Sequence, residues 1–254
     1  VANTDRIAAQ LNQAADDDSY PVTPRTVPIR YRERIRYDHE AAHAILDEGL
    51  VAHIAFNRED YPVVLPAVYA RRGETLYFHG SRAGRFAQLG AERAPVCVTV
   101  TLLDGLVFAR AWLIHSAAYR SVMAHGRLRL ITDDDERMRA LATLLEHIAT
   151  GRSAEARPPT RQEFASVAVV ALDLEEVSTK VRREEQSKYE PADLQGGCWA
   201  GYVPLRQVAL DPRSAPDLPE DVVVPPIVEK YSGPFLVPEE AMATVPGPPT
   251  KPGT

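Results

Sequence analysis

Residues 76–85 read LYFHGSRAGR, which gathers His79, Gly80, Ser81 and Arg85 into one short stretch. Small residues at a turn expose backbone N–H groups, a serine adds a hydroxyl, and an arginine opening the next helix offers a forked cation. Together these are the parts of a phosphate cradle, because a helix N-terminus and a guanidinium both favour an anion. The same composition also suits an ordinary polar surface loop. A second polar group, Tyr119-Arg120-Ser121 in the run AAYRSVMAHG, places another arginine on a later strand. His115 ends the preceding segment LVFARAWLIHS as either a ring-facing donor or a solvated cap. His39 and His43 stand four apart on a helix with no third ligand nearby in sequence, which reads as a helix surface rather than a metal site.

The elements that must position these residues are legible from hydrophobic period and turn chemistry. Asp38 is a good N-cap for a short helix ending at Gly49. VAHIAFN alternates as a strand, and VVLPAVYAR is a second strand in which Pro66 requires an edge or a bulge. RRGE reads as a hairpin turn returning into TLYFHG, with His79-Gly80-Ser81 as the turn that ends it. AGRFAQLGAE is a short helix. APVCVTVTLLDG is a strand buried on both faces, and Asp104-Gly105 makes a tight turn into a further strand, LVFARAWLIHS. AAYRSVMAHGRLRLIT is a long strand, and DDDERMRALATLLEHIATG an amphipathic helix with an acidic start and a Gly151 stop. A short helix and a last strand, VAVVALDLE, complete the pattern. Five to six antiparallel strands joined by short turns suit a closed or nearly closed barrel rather than a doubly wound parallel sheet.

Bulk properties narrow the function. The 254 residues carry 29 Lys and Arg against 35 Asp and Glu, a net charge of −6. That acidic balance argues against a nucleic-acid partner. No apolar run approaches the roughly 18–20 residues of a bilayer span, so no membrane role is expected, and the N-terminal run has no apolar signal core. A cytoplasmic location is the expectation, in which Cys97, on an apolar strand, and Cys198 stay reduced. Acidic and proline-rich stretches mark residues 1–29 as an N-terminal arm and 211–254 as a proline-rich C-terminal extension, leaving 30–210 as the patterned domain.

Within 30–210 several segments occur in a telling order: LDEGLVAH at 46–53, Leu65-Pro66 followed by Tyr69-Ala70-Arg71, Leu76-Tyr77 with His79-Gly80-Ser81, LLDGLVFAR at 102–110, HSAAYRSVMAHG at 115–126, and WAGYVPL at 199–205. The sequence thereby resembles the pyridoxamine 5′-phosphate oxidase-like family, nearest its nitroimidazole-reductase-like and flavin-nucleotide-binding branch. The resemblance implies a mainly β fold, a six-stranded antiparallel Greek-key split barrel with flanking helices. It also implies FMN at a homodimer interface, with FAD, a deazaflavin or haem as alternative cofactors. The flavin ring would lie along Leu65, Pro66, Ala67 and Val68, and its phosphate would meet His79, Gly80, Ser81 and Arg85. Tyr119, Arg120 and Ser121 would approach from the side or from the other subunit. Tyr69, Trp112 and His115 would face a small-molecule substrate over the ring. The implied activity is an FMN-dependent oxidoreductase working with a nicotinamide or oxygen couple. A non-catalytic flavin or haem carrier is the alternative, since no conventional acid–base pair or nucleophile is visible.

Overall fold

A computed structural model of the chain describes residues 2–12, 18–183, 191–195 and 197–231. Ten strands occur among them: β1 (Ile35–Arg36), β2 (Val51–Arg58), β3 (Tyr61–Arg72), β4 (Thr75–Ser81), β5 (Pro95–Phe108), β6 (Ser116–Arg127), β7 (Arg129–Leu130), β8 (Val167–Asp173), β9 (Glu176–Arg182) and β10 (Gly201–Pro204). The helices are α1 (Ala2–Asn12), α2 (His39–Glu48), α3 (Arg85–Ala91), α4 (Asp134–Ile148), α5 (Arg152–Glu155), α6 (Arg161–Ser166), α7 (Pro191–Gln195) and α8 (Pro226–Glu229). The expected class is present, an antiparallel split-barrel β fold with flanking helices, but with four more strands than the six foreseen. No helix among the described residues is long and apolar enough to cross a membrane.

The described residues divide into two compact units. The first draws on Val1–Ile45, Thr99–Ala124 and Glu176–Gln207, the second on Leu46–Val98, His125–Glu175 and Val208–Thr254. In the second unit the strand order is β2, β3, β4, β8, β7. β2 and β3 form a hairpin over their whole length, from Arg58↔Tyr61 to Val51↔Val68. β3 then changes partner, and only Tyr69–Arg72 pair with β4. Pro66, opposite His53, therefore sits in the half of the strand outside the β4 ladder, where its missing N–H costs nothing. The β3–β4 turn uses Gly73 at φ +55, a conformation that glycine adopts without a Cβ penalty. β4 alternates: Leu76 and Phe78 are buried, while His79 on the other face is exposed. β8 is buried from Ala168 to Leu172, as a strand covered on both faces should be. Ile131, Ala140, Val169 and Ala171 form part of the core beneath α4.

Local signals set the helix ends. Asp38 Oδ1 accepts the N–H of Ala41, Asp133 accepts that of Glu136 at 2.7 Å, and Thr160 and Glu163 form a reciprocal capping box. The carboxyl end of α2 is tied down by buried polar groups. Tyr69 donates its hydroxyl to the Leu46 carbonyl at 2.5 Å, Arg71 grips Asp47 through two bonds of 2.8 and 2.6 Å, and His147 Nε2–H donates to the Gly49 carbonyl at 2.7 Å. Such pairing is what allows these groups to leave water.

In the first unit the order is β1, β9, β6, β5, with β10 also paired to β5. Residues 1–29, read from sequence as an arm, contain α1 and a segment held in place. Asn12 makes two bonds to the backbone of Val22, and Arg25 pairs with Glu176. His39 stacks on Tyr20 with centroids 3.9 Å apart, and His43 Nε2 lies 3.3 Å from the Tyr20 hydroxyl, so both are half-buried side chains rather than a bare helix surface.

Four local expectations are corrected. Asp104-Gly105 is not a turn; β5 runs straight through it to Phe108. The segment after Phe108 is not a strand but a loop with a 3₁₀ turn at Trp112–Ile114. β5 is not buried on both faces but alternates, with Val96, Val98 and Val100 buried and Thr101 exposed. VAVVALDLE is likewise not the last strand, since β9 and β10 follow it. Of the proline-rich extension only residues up to 231 are described, and they carry α8; the remainder lies outside the described residues. Cys97 and Cys198 are free thiols, as expected.

Burial pushes the His147 imidazole below its ordinary value of 6.5, against the opposing pull of its bond to Gly49. The unfolded chain therefore takes up this proton at a higher pH than the folded one. The stability it contributes is complete above the ordinary value and is lost as pH falls through the depressed one. His147→Gln, which keeps an N–H donor, is expected to shrink the fall in urea midpoint between about pH 7 and pH 5. An unchanged fall would refute this assignment.

Candidate functional site

The flavin wall foreseen on β3 is an exposed apolar face of the β2–β3 hairpin. Cross-strand partners share a face, so Val51 with Val68, His53 with Pro66 and Ala55 with Val64 form one surface. Val64 is 55% exposed, Val68 39% and Val51 46%, an unusual row for a hairpin centre. Leu65 and Ala67, between them, are half-buried on the opposite side. The backbone of this half of β3 meets β2 on one side and no β4 residue on the other. Alternate N–H and C=O groups there stay off the ladder. An apolar wall with backbone donors along one edge suits a planar, partly polar ring.

Tyr69, foreseen as a substrate contact, is not available to one. It is fully buried, and its hydroxyl is committed to Leu46. Burial, with a contribution from the Asp47 charge, pushes its phenol far above the ordinary range, so it stays a neutral structural donor.

At 79–85 the structure redraws the cradle. His79-Gly80-Ser81 is not a turn: β4 continues to Ser81, and β8 pairs with it residue by residue, Gly80 opposite Ala168 and Ser81 opposite Val167. A full-length ladder partner outweighs the turn propensity of Gly-Ser. The bend comes after, where the Arg82 N–H donates to the Ser166 carbonyl and the Gly84 N–H to the Ser81 carbonyl, both at 2.8 Å. Gly80 serves packing, since a Cβ there would meet the Phe86 ring at 3.3 Å. What remains for an anion is the Ser81 hydroxyl, which accepts the Ala83 N–H at 3.3 Å, the exposed Arg82, and Arg85, which donates to Gln88 Oε1 at 3.1 Å. Sequence reasoning passed over Arg82, although it stands in the same run.

In the first unit Arg120 forms a bidentate pair with Asp104, Nη2–Oδ1 at 2.8 Å and Nε–Oδ2 at 3.0 Å. The Asp104 carbonyl accepts the Tyr202 hydroxyl at 2.7 Å and the Leu205 N–H at 2.9 Å. Gly105 is required by that contact, because a Cβ on it would lie 2.4 Å from the Tyr202 ring. Tyr119 lies beneath Lys180, whose Nζ is 5.7 Å from the ring centroid, and Ser121 is half-buried. Arg120 and Tyr202 line a cavity of about 460 Å³ together with Arg36, Arg182 and Arg183. None of those last three was singled out from sequence. Arg36 lies on a strand of two residues, and Arg182-Arg183 lie at the end of a strand that the sequence pattern did not reveal.

Near the 3₁₀ turn an aromatic row is exposed. Phe108 lies edge-on to His115 at 6.1 Å and 5.9 Å from Trp199, and Trp112 and Leu113 are almost fully exposed. His115 Nδ1 is 3.1 Å from the Ala111 carbonyl, which must accept, so Nδ1–H donates.

Comparison with known proteins sets these features in a family. The family model described as pyridoxamine 5′-phosphate oxidase matches residues 38–181. The flavocytochrome Anf3 from Azotobacter vinelandii is similar at 34% identity and a TM-score of 0.76, over 85% of this chain and 98% of that one. The FAD and haem binding protein from Mycobacterium smegmatis is similar at 33% identity and a TM-score of 0.74, over 79% of this chain and 98% of that one. Among curated proteins none matches.

The Gly105–Tyr202 contact yields a test of the first unit's geometry. Gly105→Ala is expected to destabilise the protein by about 1–3 kcal/mol through overpacking. In a Tyr202→Ala background the same change is expected to cost almost nothing, a coupling that a double-mutant cycle in urea measures. Equal costs in both backgrounds would show that Tyr202 does not dictate the glycine.

Proposed function

We propose, from the premise that the chain belongs to the pyridoxamine 5′-phosphate oxidase family, that it is a flavin-dependent redox protein carrying a haem as well as a flavin. The observation that carries the reading is the near full-length likeness to a flavocytochrome, which a second likeness, to an FAD and haem binding protein, supports. That second relative favours FAD over the FMN expected from sequence.

The residues fit such cofactors. Val64, Pro66 and Val68 on the open face of the β2–β3 hairpin would hold the ring, and off-ladder backbone groups of Leu65–Val68 would meet its polar edge. Ser81, Arg82 and Arg85 receive the phosphate end, with His79 on the exposed face of the adjoining strand. When bound, a flavin supplies hydride and single-electron transfer, and the protein supplies position and a shielded, apolar surface. A second copy of the chain covers the exposed apolar rows and makes the homodimer. A haem needs an apolar surface and an imidazole whose other nitrogen is engaged. His115 meets both conditions, with Nδ1–H held by Ala111, the Phe108 ring edge-on to it and Trp199 against Phe108. A reduced nicotinamide or a small reductant would supply the electrons.

The purified full-length protein is expected to show flavin absorbance together with a Soret band, and the flavin released by acid to be FAD. Anaerobic addition of reduced nicotinamide is expected to bleach the flavin; a flavin that never bleaches would favour a carrier without turnover. His115→Ala is expected to abolish the Soret band and leave the flavin bands in place. A colourless protein would overturn the whole reading, and a Soret band unchanged in His115→Ala would move the haem away from this histidine.

A further inference from the structure

We infer that the cavity of the first unit is a binding site for the phosphate groups of a nucleotide. Arg36 reaches it from β1, Arg120 from β6, and Arg182 and Arg183 from the end of β9. Four arginines thus converge on one cavity from three separated stretches of sequence. A lone surface arginine has no such convergence to explain. Asp104 is the one carboxylate in the lining, and it is spent on Arg120, which it holds in a fixed orientation. Arg36, Arg182 and Arg183 have no carboxylate partner among the described residues.

Like charges gathered this way repel one another, and a polyanion relieves that repulsion. A single carboxylate would engage one guanidinium fork. A phosphate or pyrophosphate offers oxygens to several forks at once, which is the geometry that arginine recognises better than lysine. The floor is apolar, built from Ala41, Ala44 and Ile45 of α2 with Ala118 and Val181, and the Tyr202 ring stands in the lining with its hydroxyl fixed by the Asp104 carbonyl. At about 460 Å³ the space is within the range of small-molecule sites and far exceeds an inorganic ion. The ligand is therefore a phosphate joined to a flat or apolar body, which is a nucleotide. The inference stands on the cavity and does not rest on the flavin reading.

The phosphate tail of a bound flavin nucleotide shares this chemistry, but that end is assigned to Ser81, Arg82 and Arg85, so the ligand of this cavity is a separately bound nucleotide such as a pyridine dinucleotide. Calorimetric titration of the full-length protein as purified, with ADP, adenosine and inorganic pyrophosphate, separates them when paired with the visible spectrum. The variants are Arg182→Gln with Arg183→Gln and, in case that pair disturbs folding, Arg36→Gln alone, each checked by circular dichroism. For a separate nucleotide, ADP binds and adenosine does not at the same concentrations. Pyrophosphate displaces ADP, added salt weakens it, and the variants lose at least about tenfold in affinity with flavin absorbance intact. ADP finding the site filled, with folded variants that lose flavin instead, would make the cavity the flavin's own and overturn a separate site. Adenosine binding as tightly as ADP, folded variants that retain both ligands like the parent, or a parent that holds neither flavin nor ADP would overturn the assignment. A parent without flavin that still binds ADP through these arginines would sink the flavin reading and leave this one standing.

Discussion

The change of partner along β3 is the constraint from which the candidate site follows. Tyr61–Val68 pair with β2 and Tyr69–Arg72 with β4, so one continuous strand belongs to a hairpin in its first half and to a three-strand ladder in its second. Backbone polar groups are obligatory hydrogen-bonding groups. A strand half with a partner on one side only must satisfy the other side with solvent or with a ligand. The same half turns Val64, Pro66 and Val68 outward. Edge strands exposed in this way are a hazard that proteins normally blunt. Here Pro66 does so in part, and the proposed flavin ring would cover what remains.

The junction itself is held by polar bonds rather than by apolar packing alone. Tyr69 stands at the first residue of the β4 ladder and spends its hydroxyl on Leu46, while Arg71, two residues on, clamps Asp47. His147 closes the same helix end from α4. Removing any one of these would leave a buried partner unsatisfied, which costs more than the bond itself contributes. That network explains why Tyr69 belongs to the scaffold although it sits one residue from the proposed ring wall.

Features whose cause is local were legible in the sequence. The Asp38 cap of α2, the glycine turn between β3 and β4, and the acidic start of α4 each depend on residues a few positions apart. So did the apolar run at 65–68, whose open edge followed from Pro66. Features whose cause lies far along the chain were not. Asp104-Gly105 carries a strong turn signal, yet the glycine is there for the ring of Tyr202, which bonds to the Asp104 carbonyl across 98 positions. Gly80-Ser81 resembles a turn until β8 pairs with it. Arg36, Arg182 and Arg183 meet because β1 and β9 pair, and β1 is two residues long, too short to announce itself by period. The family resemblance was specific enough to give the fold class. It placed Tyr69 at a substrate because it carries residue types and order, and burial is decided by where β3 changes partner.

The central claim, that the open half of β3 receives a flavin ring, is tested most directly by amide hydrogen exchange on the protein with its flavin bound and after its removal. The account predicts that amides within Leu65–Val68 gain protection when flavin is present, while those of Tyr69–Arg72, already in the β4 ladder, stay unchanged. Equal exchange at Leu65–Val68 in both states, with protection appearing elsewhere in the chain, would contradict it.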